Sequence, residues 1–171
     1  TGGLAAFTSD NIKGLSTVAL SALSSDSVTA LGLRALDLTT SQLGSLTNLN
    51  ARGLTTAALS SMTSAQVAAL ASNARGLSTG SLDALTTVNI VGLRSGALAA
   101  LSSDQVAALG SDASELSTAS LAALTSSNIN GLSTAAIAAM RSEQVAAFGA
   151  NARWFGSAAL GALTSLNAVG L

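Results

Sequence analysis

The side chains that could do chemistry are few and scattered. The chain of 171 residues has no His and no Cys, and Lys13 is its one lysine. Nucleophilic or general acid–base catalysis usually needs an imidazole, a thiolate or a tuned amine beside the reacting group. Carboxylates stand at Asp10, Asp26, Asp37, Asp83, Asp104, Asp112, Glu115 and Glu143. Of these, Asp26, Asp104 and Glu143 share one spacing, and Ala65 interrupts it. A carboxylate placed just after a helix start favours the N-terminal end of the dipole, which is a structural use. No calcium-loop pattern is present, and the ordinary ligands of zinc and haem are missing. These observations predict no enzyme, no cofactor and no metal.

The elements that would position any site are set by a repeat, which must be sought before local structure is assigned. The string Asn11-Ile12-Lys13-Gly14-Leu15 returns as Asn50 to Leu54, Asn89 to Leu93, Asn128 to Leu132 and Asn167 to Leu171. Each return is 39 residues on (54 − 15, 93 − 54, 132 − 93, 171 − 132), with no insertion. The array therefore divides as 1–14 (the tail of an earlier copy, with Leu4, Phe7 and Ile12 in phase), 15–53, 54–92, 93–131, 132–170, and 171 as the start of the next. The opening at Thr1, with neither Met nor a signal-peptide pattern, reads as a piece of something longer.

Large apolar residues advance by five, three, five, three, seven, five, three, five and three. A strand needs steps of two, and a continuous helix would let this stripe wind around its axis. Short helices separated by turns reset the phase. Hydroxyl residues mark those resets: Thr17, Thr56, Ser95 and Thr134; Ser25, Ser64, Ser103 and Ser142; Thr40, Thr79, Thr118 and Ser157; and, with one Asn, Asn48, Thr87, Ser126 and Ser165. These are N-cap types, with the cap on this residue or the hydroxyl before it; Thr63 with Gln66 and Ser102 with Gln105 have capping-box spacing. Gly14, Gly53, Gly92, Gly131 and Gly170 are expected to stop helices in the left-handed conformation.

The fold class expected is all-α, an α-solenoid with four or five short helices per repeat, its repeated leucines stacking into apolar columns. The alternative is a strand-containing solenoid in which Asn11, Asn50, Asn89, Asn128 and Asn167 form a ladder, against which stands the abundance of Ala. The repeated Asn reads as a turn or cap residue, and alternatively as a row of ligand contacts. Phe155 replaces a column leucine and is expected in the core. Trp154 replaces Gly76 and is the candidate contact.

Composition narrows the partners. Charged residues make up 9 % and the net charge is −1, so no basic field is available to hold phosphate backbones, and no nucleic acid is expected. Apolar residues at 49 % with so little charge argue against disorder. Mean hydropathy is +0.55, yet Ser, Thr or Asn breaks every apolar run, which rejects a membrane span.

The stretch Met62-Thr63-Ser64-Ala65-Gln66-Val67-Ala68-Ala69-Leu70-Ala71-Ser72-Asn73 locally resembles the first helix and base-reading loop of transcription-activator-like effector repeats. The period differs, the Gly-Gly-Lys-Gln phosphate-contacting stretch is absent and the charge is negative. Over its whole length the chain resembles the Leu-Thr-Thr-Ala-Gln-Val-Ala-Ala-Leu type repeats of very long bacterial secreted and surface proteins, described as adhesin-like. That resemblance implies export, an extracellular or cell-surface location and a structural or adhesive role. Few charges also leave a surface of small uncharged residues that keeps a monomer poorly soluble and packs well against copies of itself. The function expected is a structural repeat of a filament, surface layer or adhesin. The alternatives are a solenoid that binds a protein or glycan and, third, a nucleic-acid-binding array revealed by a salt-dependent shift.

Overall fold

The computed structural model describes residues 8–171; Leu4 and Phe7 lie outside them. Twelve short α-helices alternate with 3-10 turns, and no strand occurs among the described residues. In the first full repeat these are α1 (Thr17–Ser21), α2 (Ser25–Leu31), a 3-10 turn Gly32–Asp37, α3 (Thr40–Gly44) and a 3-10 turn Ala51–Gly53. The second repeat gives α4 (Thr56–Ser61), α5 (Ser64–Ala69), Ala71–Gly76, α6 (Thr79–Asp83) and Ile90–Gly92. The third gives α7 (Ser95–Ala100), α8 (Ser103–Ala107), Gly110–Glu115, α9 (Thr118–Leu121) and Ile129–Gly131. The fourth gives α10 (Thr134–Ala139), α11 (Ser142–Ala146), Gly149–Trp154, α12 (Ser157–Gly161) and Ala168–Gly170.

Hydroxyl residues cap nine of these twelve helices, and the cap is the earlier of each adjacent pair; at α7, α11 and α12 that earlier place is held by Arg94, Arg141 and Gly156, which make no side-chain cap. Ser16 accepts from the Ala19 N–H at 3.1 Å, Ser24 from Ser27 at 3.1 Å and Thr55 from Ala58 at 3.2 Å. Such caps are worth about 0.5–2 kcal/mol each, helping helices too short to stand alone in water. No α-helix begins at the fourth set, Asn48, Thr87, Ser126 and Ser165. The controlling hydroxyl there is again one residue earlier, and it opens a turn that runs into the following 3-10 helix.

Each repeat thus contributes five units, centred on buried residues such as Leu20, Val28, Ala35, Leu43 and Ala51. The units do not stack repeat upon repeat. Apart from immediate neighbours, every extensive contact joins a unit to the third unit along: α1 to α3, α2 to Ala51–Gly53, Gly32–Asp37 to α4, α3 to α5, α4 to α6, α7 to α9. The chain therefore winds as a three-sided solenoid with three units per coil. From Leu20 to Leu43 is 23 residues and from Ala35 to Leu59 is 24, so a coil is far shorter than the 39-residue repeat.

This arrangement corrects the expectation that equivalent leucines form columns. Five units per repeat against three per coil carries each repeat position to a different face in successive repeats. The same position regains its face only after three repeats, which is 117 residues and five coils. The interior columns mix unit types, and they close because each unit before the last, Ala168–Gly170, turns a large or small apolar residue toward the axis. Leu20, Leu43 and Ile90 are all fully buried on one face.

The glycines of the anchor string are also not left-handed helix stops. Positive φ occurs instead at Gly32, Gly110 and Gly149, and at Ala71 with φ 45°. Gly53, Gly92 and Gly131 are required by close approach: a Cβ would lie 2.2, 2.3 and 2.2 Å from the carbonyl oxygens of Ser25, Ser64 and Ser103. The turn lies flat against the first turn of the helix below it, and a methyl group has no room there.

Candidate contact surface and the amide clips

The repeated Asn is the polar centre of the structure. Asn50, Asn89, Asn128 and Asn167 are each only 1 % exposed. In every case Oδ1 accepts from the backbone N–H of the Thr three residues earlier, at 2.8 Å for Thr47, Thr86, Thr125 and Thr164. The Nδ2 group donates to the coil below. Asn89 reaches the carbonyls of Leu59 at 2.9 Å and Met62 at 3.0 Å; Asn128 reaches Leu98 at 2.8 Å and Leu101 at 2.9 Å. Those carbonyls lie at the C-terminal end of a helix, where the helix's own hydrogen-bond ladder runs out. Asn11 keeps the local half of the pattern, accepting from Thr8 at 2.8 Å, and is exposed. The asparagines do not contact one another, so there is no Asn ladder.

Glutamines repeat the device elsewhere, among them Gln66 and Gln105 of the two capping-box pairs. Gln66 accepts from the Thr63 N–H at 3.0 Å and donates to the Leu36 carbonyl at 2.8 Å. Gln105 donates to Arg75 at 2.9 Å and Leu77 at 2.8 Å, and Gln144 to Ser114 at 2.7 Å and Leu116 at 2.8 Å. In α3 the same place is held by Gln42, which donates to Leu15 at 2.8 Å; in α6 it is Ser81, donating to Leu54 at 3.1 Å. The available signal was the shared pattern of a leucine or methionine, then in nearly every unit a hydroxyl, then an amide three residues after it. No buried side-chain polar atom among the described residues is left without a partner.

The outer surface offers little chemistry. No pocket opens among the described residues, and no three acidic side chains gather as a metal site. Arg141 and Glu143 form an ion pair at 2.9 Å, with both side chains well exposed. The Glu143 carboxyl sits below its ordinary range, first because a backbone N–H hydrogen-bonds it and then because Arg141 does. The face built from α1, α3, α5, Ile90–Gly92, Gly110–Glu115, α10 and α12 carries Asp112 and Glu115 as the charged residues of those elements. Val18, Val91 and Leu160 stand exposed on it.

Trp154 lies on another face, 43 % exposed, with the Arg153 guanidinium 5.1 Å from its ring centre. Phe155 is buried and meets Phe148 edge to face at 4.9 Å between ring centres. No helix among the described residues is long and apolar enough to cross a membrane.

Two stretches, residues 75–111 and 114–150, match the family model described as the ALTTAQ repeat. Their starts are 39 residues apart (114 − 75), so the chain carries repeats of this kind in tandem. No curated protein and no solved structure matches the chain.

Proposed function

We propose that the chain is a non-enzymatic structural segment of an extracellular bacterial filament, surface layer or adhesin, and that its rods associate side by side through low-charge surfaces. The observation that carries this reading is the face running from α1 to α12. Along that face small residues, hydroxyls and a few exposed aliphatics dominate, and charge within its elements is confined to Asp112 and Glu115. Such a surface pays little desolvation on meeting a second copy, and it gives weak protection against association in solution. The interior supports the same reading, since its polar groups are spent on joining coil to coil.

The test is sedimentation velocity over a rising concentration series, followed by electron microscopy of the same samples. Side-by-side association with ordered spacing is the expected result. Single rods at every concentration would remove the assembly reading.

A second reading, a solenoid that binds a protein or a glycan, is favoured by Trp154. An exposed indole beside an arginine is a common form of contact residue. Loss of binding in a Trp154→Ala variant, with assembly unchanged, would support it.

A further inference from the structure

We propose that the solenoid is an axial spring, which lengthens under tension by releasing one coil at a time and recloses when the tension falls. The observation is the division of labour among its hydrogen bonds. Every main-chain hydrogen bond among the described residues is local, spanning at most four residues, and none joins one coil to the next. Coils are held together by apolar packing and by side-chain clips alone. Asn50, Gln66, Asn89, Gln105, Asn128, Gln144 and Asn167 each reach back about one coil to main-chain carbonyls.

The direction of loading decides the response. In a sheet pulled along its strands, many ladder hydrogen bonds share the force and fail together. Here the pull enters at an end coil, which can peel away after giving up its own clips and its own apolar contacts. The next coil then takes the load. Because each coil touches only its neighbours, stability is a chain of nearest-neighbour terms and release proceeds stepwise. Closure is fast because the contacts to be remade span no more than about thirty residues, as Asn128 to Leu98 does.

The step has a definite size. A coil of 23 or 24 residues, fully extended and less its folded rise, lengthens the chain by about 70 Å. This holds for a single rod and does not depend on lateral assembly, so failure of rods to associate leaves it intact.

The experiment is stretching of the whole chain between two handle domains, with a β-sandwich domain in series as an internal force reference. The expected record is a run of small steps of roughly 70 Å, at lower force than the reference, that retrace on relaxation with little hysteresis. Asn128→Ala should lower the force of a step while exposed Ser126→Ala leaves every step unchanged. If Asn128→Ala fails to fold, the step size of the unmodified chain decides alone. One all-or-none release of the full length, or steps that do not retrace, would overturn the proposal.

Discussion

The side-chain amide of Asn128 donates to the main-chain carbonyl of Leu98, 2.8 Å away and thirty residues back in the chain. The same side chain accepts from the Thr125 N–H and donates to the Leu101 carbonyl, so one buried residue closes its own turn and fastens the coil beneath. Asn128→Ala leaves a buried donor and two acceptors unpaired. It should cost about 2–4 kcal/mol, since each orphaned group costs roughly 1–3 kcal/mol. Asn128→Asp should cost more at neutral pH, because a carboxylate would face carbonyl oxygens. The burial would raise its folded pKa above the unfolded value near 3.9. The variant should therefore recover stability as pH falls toward the unfolded value and lose it as pH rises through the folded one. Urea unfolding across pH checks both; equal stability of wild type and Asn128→Ala would refute the clip.

A contrast between two glycines four residues apart, on either side of a repeat boundary, tests the close approach of coils. Gly92→Ala would place a methyl 2.3 Å from the Ser64 carbonyl and 2.9 Å from the Val67 Cβ. Gly96, in α7, has nothing within 4 Å of a built Cβ. Thermal unfolding should show Gly92→Ala destabilised by roughly 1–3 kcal/mol or more, as in overpacking, and Gly96→Ala stabilised by about 0.5–1 kcal/mol through helix propensity.

Ala71 occupies the repeat position that is glycine at 32, 110 and 149, and it holds φ 45°. A left-handed conformation costs an L-residue roughly 1–2 kcal/mol. Ala71→Gly should raise stability by up to about 1 kcal/mol, read as a shift in the urea midpoint. Gly110→Ala should move it the other way.

Charge on the association face should suppress assembly. Thr40 in α3 and Ala65 in α5 lie exposed on the charge-poor face, whereas Ala99 in α7 lies exposed on a different one. Thr40→Lys with Ala65→Lys is expected to shift sedimentation toward single rods, with Ala99→Lys having the smaller effect. Equal effects from both faces would mean that association does not use the charge-poor face.

Acid should weaken the Arg141–Glu143 link. The Glu143 carboxyl is lowered in the folded chain, first by a backbone hydrogen bond and then by Arg141. Any stability the group lends is present above the ordinary carboxylate range and lost as pH falls through the lowered folded value. Glu143→Gln should remove that part of the acid dependence and leave the neutral-pH melting curve nearly unchanged, because the pair is exposed.

Much of the local structure was legible in the sequence. Steps of five and three excluded strands, and hydroxyls at fixed offsets marked helix starts, because cap chemistry is local and depends on residue type. The coil was harder to read. A 39-residue period suggests one turn of the solenoid, but the spacing of Leu20, Val28, Ala35, Leu43 and Ala51 is nearly even at seven or eight residues. Such units are interchangeable in the stack, and how many make a coil depends on packing across the axis rather than on sequence period. Gly53 shows the same limit. Its position at a turn suggested a left-handed stop, yet the reason for glycine lies in Ser25, a residue of the coil below. Asn50 looked like a turn residue, and half of its bonding is that; the other half, to Leu20 and Leu23, is invisible until the coil length is known.

The solenoid winds with three units per coil against five per repeat, and distances between paired spin labels test this winding most directly. The chain has no cysteine, so labelling sites can be introduced singly or in pairs. Labels at Thr56 and Thr79, 23 residues apart on stacked helices α4 and α6, should lie close together, at about the 8–10 Å of packed helices. Labels at Ser21 and Ala138, 117 residues apart, should share a face at roughly 40–50 Å, five coils on. If instead Thr56 and Ser95, which share a repeat position, lie about one helix spacing apart while Thr56 and Thr79 do not, the solenoid turns once per repeat and three units per coil is contradicted.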